Sequence, residues 1–320
     1  MTTQNSPGPS QHIGQRIGFS TVGAIDSRLA ALVKLDQSMG SELIRPAAEG
    51  ELSFINSLLS NANYDAITGA ELDGLAARAA GIAGWIARDS GDLVAAETLY
   101  RTAVALAAAS GAADIRAYFT MQLACQKCSA SKPAAALQLL GTVESDVRHG
   151  ALSARTVVTL HSVAAHAHAR MGDDAGRARA MDAAHTALDS EGAPPTHSLN
   201  SWVSAAYLEV TAGCHLLALG RPRQALHHLK VLDNGAYPLD RHPREAVIHL
   251  VCAAKAMLSS HELESAVSYA HRAQDYLDTV RSTRATEAVM GLCHALSAYS
   301  STTLVRDFLD RASTQGRQRG

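Results

Sequence analysis

Along most of this chain, apolar and small residues return every three or four positions, the spacing of one buried face of a helix, and short polar turns interrupt the runs. No run alternates apolar and polar residues as a half-buried strand would, so the pattern predicts an all-α chain. The segment GWIARDSGDLVAAETLYRTAV, residues 84–104, is the clearest copy of a recurring unit. Around Gly91 a small residue stands seven positions before (Gly84), another five after (Ala96), a larger one nine after (Tyr100) and a small one twelve after (Ala103). The same offsets from Ser131 select Ala124, Ala136, Leu140 and Val143, and from Gly172 they select Ala165, Arg177, Met181 and Ala184. From Gly220 they give Gly213, Ala225, Leu229 and Leu232, and from His261 they give Ala254, Ala266, Ala270 and Ala273. The anchors lie 40, 41, 48 and 41 residues apart.

These offsets have a packing meaning. A small residue before the turn lets helix A approach helix B of its own hairpin, the small residue after the turn is its counterpart, and the larger residue fills the gap between repeats. Gly-Asp, Ser-Lys-Pro and Gly-Arg-Pro at the turns stop helix A and start helix B, the latter two with proline in the first turn. A single hairpin cannot bury its own apolar face. Stacking therefore predicts an α-solenoid of about five to six hairpins over residues 81–312, with a continuous core and a concave groove. Arg177 breaks the small-residue rule, so the third hairpin is expected to splay or to slip its register by one. Residues 16–80 form an N-terminal helical cap of two or three helices with a polar break at NANYDAITG. Residues 1–15 are expected to be a disordered tail. The proline-containing stretch DSEGAPPTHSLNSW, residues 189–202, reads as the loop behind the 48-residue spacing. Segments 283–298 and 301–312 read as one more hairpin or a closing cap, and residues 313–320 as a frayed tail.

Composition sharpens this picture. At 320 residues the chain exceeds the usual single core, which favours either two domains or a repeat array. Hydrophobic residues reach 47% but aromatics only 4%, so a core rich in alanine must bring its helices close together. The formal net charge is −2 and the 28 basic residues are scattered, which argues against a direct nucleic-acid partner. No 18-residue apolar run and no signal-like start are present, so a soluble, cytoplasmic protein with no membrane partner is expected. Five cysteines, an odd number, read as reduced thiols.

The offsets resemble the tetratricopeptide repeat, whose period is about 34 residues, here in a longer form. More specifically, the chain resembles the tetratricopeptide-like C-terminal region of actinobacterial XRE-type helix-turn-helix transcriptional regulators. The residues that carry the resemblance are RIGFSTVGAIDSRLAALVKLDQSMG (16–40, with Asp36 and Gly40 as a short signature), GWIARDSGD, TLHSVAAHAHARMGD, AGCHLLALGRPRQAL, TVRSTRATEAV and VRDFLDR. The family's DNA-binding helices precede this region, and only about 15 residues do so here, so the sequence is expected to lack its own DNA reader. The resemblance implies a role in transcriptional control of specialised metabolism.

Candidate chemistry is sparse. CQKC puts Cys125 and Cys128 about one helical turn apart, half of a zinc site, with His161, His166 and His168 expected on a neighbouring helix. No second CxxC or HxxxH accompanies them, and small core cysteines explain the pair as well. His166 and His168 point about 200° apart on a helix, whereas His161 and His168 share a face. Phosphate-binding, nucleophile-elbow and zinc-protease motifs are absent. Asp89 and Asp92 flank a turn, where carboxylates usually cap or face water.

What remains is the groove. Its candidate ligand-facing residues are Trp85, Arg88, Tyr118, Gln122, His161, His168, Trp202, Tyr207 and His249, each of which could equally be a packed or solvated repeat residue. The expected function is a non-catalytic protein binding a protein, a peptide or a small-molecule effector, without a cofactor and compatible with homo-oligomers. The alternative is a metal-dependent or groove-based enzyme or accessory protein of a biosynthetic pathway, with zinc as cofactor. DNA binding through a cryptic surface is a third class.

Overall fold

A computed structural model describes residues 16–190 and 198–319. The expected N-terminal tail, residues 191–197 of the 189–202 loop and Gly320 lie outside these. Among the described residues there are fifteen α-helices and no strand: α1 Phe19–Met39, α2 Ser41–Asn61, α3 Ala66–Asp89, α4 Leu93–Ala109, α5 Ala113–Ser129, α6 Pro133–Gly141, α7 Glu144–Arg148, α8 Ala154–Arg170, α9 Asp174–Asp189, α10 Ala205–Ala218, α11 Pro222–Leu229, α12 Pro243–Ser259, α13 Leu263–Leu277, α14 Thr283–Leu296 and α15 Thr303–Arg319. The chain is all-α. No described helix is long and apolar enough to cross a membrane.

The five anchors sit between paired helices, in the turns α3/α4, α5/α6, α8/α9, α10/α11 and α12/α13. All five adopt positive φ, including two that are not glycine, Ser131 (57°) and His261 (64°). At each, the following residue returns its N–H to a carbonyl five residues back: Asp92 to Ala87, Lys132 to Lys127, Asp173 to His168, Arg221 to Leu216 and Glu262 to Met257, at 2.8–3.0 Å. This is the wrapped helix end that a left-handed residue makes possible. The next helix starts on a side-chain cap where Asp92 or Asp173 accepts from Ala95 or Gly176, or on Pro133 or Pro222.

The offset residues are buried apart from Leu140 and Arg177, which are half-buried. A Cβ on Gly84 would stand 2.9 Å from the Tyr100 ring, and one on Gly213 would stand 2.6 Å from Leu229. The large residue nine after the turn thus packs first inside its own hairpin and not only between repeats. Tyr100 does both, since it also stacks on Phe119 at 6.2 Å. The third hairpin does not splay: α8 and α9 stay packed, Arg177 turns to Asp174 (2.8 Å), and Gly176, one position earlier, is the buried small residue.

α3 runs across residue 80, so the first hairpin begins at Ala66, and α15 continues past residue 312. The first helices of the hairpins touch in series, α3 to α5, α5 to α8, α8 to α10, α10 to α12 and α12 to α14, and α14 touches α3 again. This circuit returns on itself. α1 packs on α3 and also reaches α12, and Gly40 forms an isolated bridge with Arg281.

Candidate functional site

Inside the circuit lies a cavity of ≈ 120 Å³ lined by Gln37, Trp85, Arg88, Tyr118, Gln122, Trp202, Tyr237, His242, Glu245 and Arg284. These come from α1, α3, α5, α12, α14 and the two irregular stretches, with short 3-10 turns, that precede α10 and α12. Both tryptophans of a chain with 4% aromatic residues meet here. Larger hollows of ≈ 420 and ≈ 470 Å³ are more open to solvent, around Arg221 and His261 and around Lys34 and Tyr276; the second shares Gln37 with the chamber.

Each wall is fixed by a partner. The Arg244 guanidinium lies 5.2 Å from the Trp85 ring centre, a cation–π contact that occupies one face of the indole. Trp202 donates its indole N–H to the Leu199 carbonyl at 2.8 Å and meets Tyr207 edge-on, with centroids 4.6 Å apart. Tyr118 is buried, and its hydroxyl accepts from the Gln122 amide at 3.0 Å. The Gln122 carbonyl in turn faces an N–H of Arg88 at 3.5 Å. Burial pushes the Tyr118 phenol up, so it stays protonated at neutral pH.

Behind one wall is a buried ionic cluster. Arg244, with 0% exposure, bonds Asp36 at 2.9 Å and Ser41 at 3.2 Å through Nη1, which also lies 3.3 Å from Asp89; its Nε donates to Glu245 at 3.2 Å. Arg284 donates to Asp89 and Glu245 at 3.2 and 3.1 Å, and the Ser282 hydroxyl donates to Asp89 at 2.9 Å. Burial alone would raise the Glu245 pKa, but the Arg244 and Arg284 guanidiniums outweigh it and hold the carboxyl down to about 2. Burial would push Arg244 down; Glu245, Asp36 and Asp89 more than reverse that, and the guanidinium stays charged. Asp36 is pushed up by burial against the pull of Arg244 and Ser41. Asp92 caps α4, as carboxylates at such turns are expected to, whereas Asp89 does neither of the things expected of it: it is buried and ion-paired.

The groove candidates divide. Trp85, Arg88, Tyr118, Gln122 and Trp202 line the chamber. Tyr207 stands directly behind Trp202, its hydroxyl 3.3 Å from the Ser162 hydroxyl. His249 is buried against Tyr237, with ring centroids 5.2 Å apart, and burial lowers its pKa to about 4. His161 is half-buried, with its pKa lowered by burial, and is not among the lining residues. His168 is spent on the N-cap of α9, with Nδ1 at 2.9 Å from the Asp173 carboxylate, in space that Gly176 leaves open. Cys128 is buried and pushed up to about 12 by burial, and the Cys125 thiol, also pushed up by burial, lies 3.7 Å from the Met121 sulfur. His166 lies against His215 at 5.4 Å. Among the described residues no group of three or more His, Cys, Asp or Glu side chains is arranged to hold a metal.

The offsets alone do not reveal Gln37, Tyr237, His242, Glu245 and Arg284. The available signals were the turn-rich stretch DNGAYPLDRHP before α12, which carries Tyr237 and His242, and the adjacent Arg244-Glu245 in the first turn of an inner helix. Compared with known proteins, the chain matches no family model and no curated sequence.

Proposed function

We propose that the protein is a non-catalytic ligand-binding repeat protein: a tetratricopeptide-like solenoid, closed end to end, that takes a small effector or a short peptide segment into its central chamber and acts through a partner protein. The resemblance to regulator C-terminal regions makes transcriptional control of specialised metabolism the setting. The observation that carries the reading is convergence. Aromatic residues concentrate in one enclosed space with Arg88, Gln122, Glu245 and Arg284, contributed from both ends of the sequence. Aromatic walls combined with a few placed polar groups are the usual form of small-ligand pockets.

The test is a thermal-shift screen of metabolites and short peptides on the full chain, repeated on Trp202→Ala. A ligand at 100 times its Kd adds about 2.7 kcal/mol of stability. At least one compound should stabilise the wild type and lose that effect in Trp202→Ala. Silence across the library, or turnover of a bound compound, overturns the reading.

A further inference from the structure

The cations around the chamber are not equivalent. Arg284 is bound to Asp89 and Glu245, and Arg244 to Asp36, Asp89 and Glu245. Arg88 has no carboxylate partner among the described residues. Its hydrogen bonds go to neutral oxygens, Gln122 Oε1 and Ser129 Oγ, both at 3.5 Å, the outer limit for such a bond. A guanidinium carries five donors, so most of this one's capacity is unspent in a half-buried setting.

A second donor lines the same space. The Tyr118 hydroxyl already accepts from Gln122, which leaves its own proton to give. The fully buried Tyr100 hydroxyl, which does not line the chamber, puts a third neutral oxygen within reach of the same guanidinium. A cation and a phenolic donor lining one space are complementary to an oxyanion, and the planar fork of arginine fits a carboxylate best with two parallel bonds. Trp85, Trp202 and Tyr237 add flat aromatic surface to a lining that is otherwise polar, completed by Gln37, His242, Glu245 and Arg284. Glu245, ionised and also lining the chamber, works against a second negative charge.

Resting on the ligand-binding reading above, we infer that the chamber takes a small planar monoanion, an aromatic or conjugated carboxylate, with its carboxylate on Arg88 and the Tyr118 hydroxyl and its ring against the tryptophans. The chain's two tryptophans both line the chamber, so their emission reports directly on occupancy.

The full chain is titrated with benzoate, benzamide, acetate and phenyl phosphate, followed by tryptophan fluorescence and calorimetry. Benzoate should bind saturably and at least about tenfold tighter than each of the other three, a difference of about 1.4 kcal/mol. Arg88→Met should bring benzoate down to the level of benzamide while leaving benzamide binding unchanged, which shows the chamber intact; Arg88→Lys should retain part of the preference. Benzamide equal to benzoate, an Arg88→Met protein that binds benzoate as the wild type does, or silence to all four probes overturns the ligand class. The proposed function falls only if the wider screen is silent too, so the two failures are distinguishable.

Discussion

Arg244 is a side chain on which distant parts of the chain converge. It is fully buried, and the carboxylates of Asp36 and Asp89 depend on it for charge compensation. Removing one partner of a buried ion pair leaves the other charge stranded, at a cost of about 3–5 kcal/mol. Arg244→Met is therefore expected to lower the urea unfolding free energy by that amount. Arg148→Ala, which removes a pair whose two side chains are each 65% exposed, should change it by no more than about 0.5 kcal/mol. The same contrast explains what could be read from sequence at this scale. Trp85, Arg88, Tyr118 and Gln122 were legible because they share one helical face of α3 or α5, the first helices of two successive hairpins, although they do not occupy equivalent positions in them. Asp36 and Arg244 are 208 residues apart, and no local period encodes their meeting. Asp89 looked like a turn carboxylate because its neighbour Asp92 is one. His168 shared a helix face with His161, but Asp173, five residues on, had already claimed it.

At the scale of elements, the hairpin turns were the most legible feature, since each needs a left-handed residue and a small residue on either side. Two of them meet this need with side chains that disfavour it. The left-handed conformation costs an ordinary residue about 1–2 kcal/mol, and the extra freedom of glycine in the unfolded chain offsets about 0.5–1 kcal/mol of any gain. Ser131→Gly and His261→Gly should therefore each stabilise the protein by up to about 1 kcal/mol, measured as a shift of the urea midpoint at constant slope. Gly213→Val should do the opposite by about 1–3 kcal/mol, because its Cβ would meet Leu229 at 2.6 Å and the Ala225 carbonyl at 3.1 Å, and a backbone oxygen cannot move aside. Less legible were the short helix α7 and the irregular approach to α12. Both fall where the apolar period lapses, and a lapse does not say where the chain goes next.

For the whole molecule, acid is the informative perturbant. His166 and His249 have their pKa lowered to about 4 by burial, while the same rings in the unfolded chain titrate near 6.5. Between those values the unfolded state binds more protons, so stability falls as pH drops from about 6.5 to 4, by up to about 1.4 kcal/mol per pH unit for each histidine. Glu245 behaves differently: its contribution is complete above its unfolded value of 4.5 and is lost only as pH falls toward about 2. Urea midpoints between pH 7 and 4.5 should decline with this slope, and His249→Gln should flatten it; an equally steep decline in that variant would contradict the assignment. The all-α class and the hairpin order were readable from the apolar pattern, but the return of α14 to α3 was not. An open stack of hairpins tolerates gain or loss of a unit, because each member needs only its neighbours. Once the last inner helix must meet the first, the copy number becomes an integer imposed by geometry. Duplication or deletion of one hairpin would here leave Arg244 unable to find Asp36, so the contact between the two ends ties the fold to its present number of helices.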